Sequence, residues 1–354
     1  MYDLSVEYGT LTVIPRKLSL STESRSKTYD GTPLTSSKIS LVSGNLILGD
    51  SIVALGESSI TEVGSISNEI PYYIASSSGD DVTKHYDIKH TYGKLNIIPK
   101  ALNIKTSGTS KTYDGKGILL DDWNFIGGTN IGNGEKISLV FHEFTEVGTH
   151  KNIPDVLITD ESGRDITDRY KITFSAESIT INKKYLAIST GSASKVYDGT
   201  PISKKTLSIV SGSLLSGHYI KNQIFTEAVD AGITKNVADI IIFDSEGNEV
   251  TGCYNIVCKP GELTVHPKNI TISTGTARKK FDDTPLSSND YRLVGDSLCS
   301  GHTIDFIGSS ITNPGTMQNF PTRLVIYDQS AGQRKDVTNN YVITYRYGTL
   351  TVTN

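Results

Sequence analysis

Cysteine is nearly absent from this chain: three in 354 residues, at 253, 258 and 299. Cys253 and Cys258 are five apart on one expected strand, so they point to opposite faces and cannot pair locally. Cys299 falls at the repeat position of Ile131 and Leu215 and reads as a small core hydrophobe. A disulfide framework is therefore excluded, and the redox compartment stays open. Tryptophan (one) and methionine (two) are also scarce. No apolar run exceeds a few residues, so neither a signal peptide nor a membrane span is legible. A net charge of −4 without a basic cluster argues against nucleic-acid binding. The seven histidines scatter; only His218 and His302 share a repeat position, and no zinc spacing or nucleophile–base pair stands out. No cofactor and no enzymatic activity are expected.

What is present is repetition. Tyr29, Tyr113, Tyr197 and Phe281 are each followed by Asp and lie 84 residues apart, the signature of one module copied in tandem. Glu62-Val63-Gly64 returns as Glu146-Val147-Gly148, Asp230-Ala231-Gly232 and Asn313-Pro314-Gly315. Each of those glycines is followed four positions later by Asn68, Asn152, Asn236 or Asn319. Asp81-Val82-Thr83 and its copies precede a tyrosine at 86, 170, 254 and 341. Four units follow: 16–99, 100–183, 184–267 and 268–354. Residues 1–15 carry the closing motif once more, Tyr8-Gly9-x-Leu11-x-Val13-x-Pro15, and read as the tail of a preceding, truncated unit behind an added Met1. The chain is then expected to be a fragment, and an absent signal peptide does not place it in the cytoplasm.

Abundant Thr, Ser, Tyr, Ile and Val favour strands. Turn signals every 8–12 residues with period-2 alternation predict six to eight short strands per unit and an all-β fold. The expectation is a tandem array of four small immunoglobulin-like β-sandwiches in an extended rod, with β-grasp-like modules as the alternative. The best helical candidate, Leu286 to Asp290, is one turn at most. A terminal hairpin is expected with one arm at 240–243, its tip at 244–248 and its return through Tyr254–Val257. Pro15, Pro99 and Pro267 sit in continuous strand-like runs, so the joints read as short and semi-rigid.

The motifs Lys27-Thr28-Tyr29-Asp30-Gly31-Thr32-Pro33, Tyr92-Gly93-Lys94-Leu95 and Asp-Val-Thr-x-x-Tyr-x-Ile resemble the MBG and YDG repeat domains of large bacterial surface adhesins, over essentially the whole chain. The resemblance implies an extracellular, wall-anchored, multi-repeat protein and no catalytic site. Unit 2 departs from it at Gly115-Lys116-Gly117 and Ala176-Glu177. Unit 4 departs at Asp283, where Asp replaces the turn glycine and must tolerate a positive φ. The implied role is a structural stalk that projects a distal head. The alternative is a set of repeats that bind host glycan, mucin or matrix protein multivalently.

Surface rods of this kind suggest an intramolecular isopeptide bond. Lys27, Lys111, Lys195 and Lys279 hold one position and Asn68, Asn152, Asn236 and Asn319 another. A neutral lysine amine would attack the carboxamide with Asp30, Asp114, Asp198 or Asp282, or else Glu62 or Glu146, shuttling the proton. The bland alternative is a solvated lysine and a turn asparagine. The tips Asp160–Asp165 and Asp244–Glu249 offer oxygens for calcium, though a plain turn explains them equally; no metal is expected. The repeated tyrosines read as core or corner residues. Trp123, present in one unit only, is the candidate ligand contact.

Overall fold

A computed structural model describes residues 2–354, with Asn222 described by its backbone alone, so Met1 lies outside the described residues. The fold is all-β, and among the described residues the only helical segments are four 3-10 turns of three residues each. The chain divides into two units, 1–111 with 116–181 and 112–115 with 182–354.

In unit 1 the first repeat breaks into ten strands, more than the six to eight expected. The surplus arises because long runs are cut as they pass between two small packets. Arg16–Thr22 pairs with Ile39–Ser43 antiparallel and with Tyr86–Thr91 parallel. The chain then crosses at Glu23-Ser24, and Arg25–Thr28 runs parallel to Lys94–Ile98, whose other edge takes Gly64–Ser67 antiparallel. The first packet is closed by Ser51–Ala54 with Tyr72–Ala75, the second by Leu34–Ser36 with Ser58–Ile60. Alternation buries Leu18 with Ile74 and Tyr86 in one, and Tyr29, Leu34, Leu95 and Ile97 in the other.

The second core does not stop at the edge of the sequence unit. Tyr29, Leu95 and Ile97 share one buried cluster with Leu102, Ile104, Ile158 and Tyr170 of the next repeat. In unit 2, Tyr197, Leu263 and Val265 likewise share a cluster with Ile270, Ile272, Ile326 and Tyr341. Pro99 and Pro267 are single-residue breaks between strands Lys94–Ile98 and Lys100–Thr106, and between Gly261–His266 and Lys268–Thr274. Lacking an N–H, proline ends one ladder and lets the next begin at once.

Two local expectations change. The residues after Thr-Pro in the fourth repeat form a strand, Leu286–Ser287, paired with Ser310–Ile311. Helical turns occur instead just before the repeated tyrosines, where Asp81 Oδ1 accepts from Thr83 N (2.9 Å) and Oγ1 (2.6 Å) and bends the chain. That bend also opens the expected hairpin. The tip closes, with Asp244 N donating to Asn248 O, but Ala238–Phe243 pairs with Tyr219–Phe225. The return strand Tyr254–Lys259 crosses to the other layer and runs parallel to Lys184–Thr190. Cys253 consequently sits in the 3-10 turn Thr251–Cys253 rather than on the strand with Cys258. Cys299 is buried in the core as expected, and all three cysteines are free. Asp283 adopts φ 64°, the one positive-φ non-glycine among the described residues.

Gly261 marks where two backbone segments touch. A Cβ there would stand 2.4 Å from Gly191 O and 2.7 Å from Thr190 O, backbone atoms that cannot swing away. Gly261→Ala is expected to destabilise unit 2 by about 1–3 kcal/mol through overpacking. Gly252→Ala, which meets nothing within 4 Å, is expected to be neutral. Denaturant midpoints at constant m-value check both.

Candidate inter-repeat interface

Each repeated tyrosine anchors the front of its repeat in the same way. The hydroxyls of Tyr86, Tyr170, Tyr254 and Tyr341 accept from backbone N–H groups of Ile47 (2.9 Å), Gly132 (2.9 Å), Leu215 (3.0 Å) and Cys299 (3.1 Å). Tyr86 donates to Asp50 Oδ2 at 2.5 Å and Tyr170 to Glu135. Tyr254 and Tyr341 share 2.8 Å hydrogen bonds with His218 Nδ1 and His302 Nδ1. Burial pushes all four phenols above their usual range, so they stay neutral. Burial also lowers His302. The periodic pair His218 and His302 was the sequence trace of this arrangement.

Against three of the four anchored rings, those of Tyr170, Tyr254 and Tyr341, lies the aromatic of a Tyr-Asp turn. In unit 1, Tyr29 meets Tyr170 edge-on, centroids 6.1 Å apart at 77°. In unit 2, Tyr197 meets Tyr341 at 5.6 Å and 81°, and Tyr113 meets Tyr254 at 6.5 Å and 75°. Such geometry sets the positive ring edge on the negative face, worth about 1 kcal/mol beyond burial.

The residue just before the anchored tyrosine varies, as His85, Arg169, Cys253 and Asn340, so sequence reasoning passed it over; at Arg169 and Asn340 it binds the acid of the facing repeat. Arg169 donates to Tyr29 Oη (2.8 Å) and grips Glu62 at 2.6 Å. Asn340 Nδ2 donates to Asp230 Oδ1 (2.9 Å), and its Oδ1 accepts from Ala231 N (2.6 Å). Lys335 adds a 2.9 Å bond to Asp230, whose carboxyl is held below its usual range chiefly by that ammonium. Glu62 and Asp230 are therefore packing acids in these units.

The structure does not bring the proposed isopeptide partners together. Lys27 pairs across to Ile97, whose other side faces Gly64, while Asn68 N bonds Gly93 O four residues back. The central strand and about 13 Å of length separate them. Lys27 Nζ instead donates to Asp30 Oδ1 (2.7 Å), Thr32 O (2.6 Å) and Thr32 Oγ1 (2.7 Å). Lys195 and Lys279 do the same with Asp198, Thr200, Asp282 and Thr284. Lys111 Nζ donates to Lys116 O (2.6 Å) and Gly117 O (3.2 Å), and Asp114 stands in the same turn. An amine held by a carboxylate as its ammonium has no lone pair for attack.

The asparagines are buried clasps. Asn68 Nδ2 donates to Glu23 O; Asn152 Nδ2 to Ser107 O and Leu120 O; Asn236 Nδ2 to Gly191 O and Lys204 O; Asn319 Nδ2 to Gly275 O and Ser288 O. Their own carbonyls accept from the hydroxyls of Thr22, Thr106, Thr190 and Thr274. Those threonines also keep the 84-residue period, a signal the sequence reading left unused. The clasp ties the crossing between packets to the strand after each Gly motif.

At the tips, Asp160 and Asp244 spend their oxygens on turn donors: Ser162, Arg164, Glu246 and Asn248. Among the described residues no group of three His, Cys, Asp or Glu could hold a metal ion. Trp123 is half-buried, edge-on to Phe125 at 5.2 Å and packed against the unit 1 core. No helix among the described residues is long and apolar enough to cross a membrane.

No family model and no curated protein matches the chain. Among solved structures, the crystal structure of Drosophila N-cadherin EC1-4 aligns over 95% of this chain and 100% of its own, at 9% identity and TM-score 0.18. The N-terminal four Ig domains of Dscam1 isoform 9.44, with zinc, align over 97% of this chain and 98% of their own, at 10% identity and TM-score 0.17. Likeness at this level carries no argument about this chain.

The Lys-Asp turn sets an acid limit. Lys279 first, then Thr284, holds the Asp282 carboxyl down to about 2 from 3.8. A depressed carboxylate contributes stability that is complete above the unfolded value and is lost as pH falls through the folded one. Carbon-detected NMR titration is expected to place Asp282 near 2 and to return it toward 3.8 in Lys279→Met. A midpoint near 4 in the parent chain would contradict the assignment.

Proposed function

We propose that the chain is a stalk segment of a bacterial surface adhesin, built of immunoglobulin-like modules, whose repeats hold a distal head away from the cell. One observation carries this reading: the residues that recur in register, and the variable ones beside the anchored tyrosines, are spent on the module and its joints. Tyr29, Arg169 and Glu62 join repeats within unit 1; Tyr197, Asn340 and Asp230 do so within unit 2. The four asparagines hold crossings between packets. A role in length and mechanical continuity uses such residues directly, because stability in a tandem array is a sum of module and neighbour contributions. The MBG and YDG resemblance supports the same reading and supplies the cell-surface setting.

Neighbouring repeats of the same chain are the partners on this account. Pulling the chain by its two ends is expected to give unfolding events at tens of piconewtons or more, with Arg169→Ala lowering the force of one. Surfaces of mucin, glycan or matrix protein are expected to give no saturable binding. Saturable glycan binding that disappears in Trp123→Ala would overturn the stalk reading in favour of a ligand-binding array.

A further inference from the structure

The glycine turn that holds each anchored tyrosine differs in one residue. It reads Leu48-Gly49-Asp50 in repeat 1, Asn133-Gly134-Glu135 in repeat 2, Ser216-Gly217-His218 in repeat 3 and Ser300-Gly301-His302 in repeat 4. All four glycines take a positive φ, 94°, 80°, 82° and 79° in that order, which glycine adopts without strain. Repeat 2 alone puts asparagine before the glycine, and no other asparagine of the chain precedes one. A Cβ on Gly134 would also stand 2.1 Å from Glu161 Oε1, so the turn keeps a residue with no side chain over its N–H. Asn133 and Gly134 are both exposed. Among the described residues neither the Asn133 carboxamide nor Gly134 N has a hydrogen-bond partner. The flanks of the same turn, by contrast, are engaged. Gly132 N donates to Glu135 Oε2 (2.8 Å) and to the Tyr170 hydroxyl (2.9 Å), Tyr170 donates to Glu135, and Tyr29 Oη donates to Glu135 Oε1 at 3.4 Å. Asn133 also lines the groove that holds Tyr29, Asp30 and Glu135.

We propose that Asn133 is a self-modification site, whose carboxamide closes on Gly134 N and gives way to an iso-aspartyl linkage that loosens the joint between repeats 1 and 2 as the chain ages. Gly134 N loses its proton to hydroxide and attacks Asn133 Cγ. The N–Cγ bond forms, the Cγ–Nδ2 bond breaks, and the amide nitrogen leaves as ammonia. Water then opens the five-membered imide at either carbonyl, to aspartate or to iso-aspartate. One water is consumed, one ammonia is released, and no oxidant takes part. Asparagine is among the labile side chains, and this one has nothing to hold its amide still. Two consequences reach the joint. The new carboxylate joins Asp30 and Glu135 on one groove wall, where like charges repel. The iso-aspartyl form adds one main-chain atom between residues 133 and 134. That atom falls inside the turn whose two flanks, Gly132 N and the Glu135 carboxylate, fix the Tyr170 hydroxyl against Tyr29.

The proposal rests on the joint and not on the stalk reading, which survives if Asn133 proves inert. The full chain is aged in mildly alkaline and in mildly acidic buffer, beside a synthetic peptide of residues 128–138 as the unfolded reference. The fragment carrying Asn133 is expected to gain about 1 Da, to split into two products and to accept methyl groups from an isoaspartyl methyltransferase. Conversion is expected to be faster in the alkaline buffer and to keep pace with the peptide. Asn133→Ser, the residue of repeats 3 and 4, is expected to take no label at this position and to melt as the fresh parent does. Hydrogen exchange reads the joint: amides of Tyr170–Ala176 are expected to exchange about tenfold faster in the aged parent, as loss of a buried hydrogen bond implies, and to stay unchanged in aged Asn133→Ser. An Asn133 that stays intact in the folded chain while the peptide is consumed would overturn the proposal. So would full conversion that leaves the protection of Tyr170–Ala176 as it was.

Discussion

A tyrosine from one repeat, laid edge-on against the anchored tyrosine of another, is the contact on which the rest depends. Tyr29 on Tyr170 in unit 1 and Tyr197 on Tyr341 in unit 2 each close a core that neither repeat completes alone. Modules of 84 to 87 residues have little apolar area to spare, and these divide even that between two packets. Burying one aromatic in such a packet is worth roughly 2–3 kcal/mol, a large share of a small module's stability. The anchored hydroxyl fixes where that ring stands, since its partners are an N–H of a nearby turn and an acid or imidazole a few residues on.

Much of this was legible in the residues. The 84-residue period, the all-β character, the corner role of the four tyrosines, the burial of Cys299 and the positive φ of Asp283 follow from spacing and local chemistry. Constancy, however, says that a residue matters and not what it touches. Lys27 and Asn68 recur in every repeat, yet the strand Lys94–Ile98 runs between them. Only the pairing order reveals that the lysine closes a turn and the asparagine a crossing. The opposite error hid Arg169 and Asn340. They occupy one position and change from repeat to repeat, so a search for invariance discards them.

That variation has a physical sense. At two joints the residue before the anchored tyrosine binds the acid position of another repeat, and the two differ together: Arg169 with Glu62, Asn340 with Asp230. A buried aromatic pair supplies attraction common to every joint, whereas polar pairs at its rim discriminate between neighbours. Constant residues build the module, and variable ones fit it to its neighbour. The repeat boundary drawn from sequence and the core drawn from packing differ for the same reason: copying follows the gene segment, while burial follows the joint.

Native-state hydrogen exchange of Tyr29→Ala tests the shared core most directly. If the joint completes that core, amides of Arg25–Thr28 and Lys94–Ile98 and those of Lys100–Thr106 and Tyr170–Ala176 lose protection together, by about 2–3 kcal/mol. Loss confined to the first repeat, with Lys100–Thr106 and Tyr170–Ala176 unchanged, would show that each repeat closes its own core and would contradict the account.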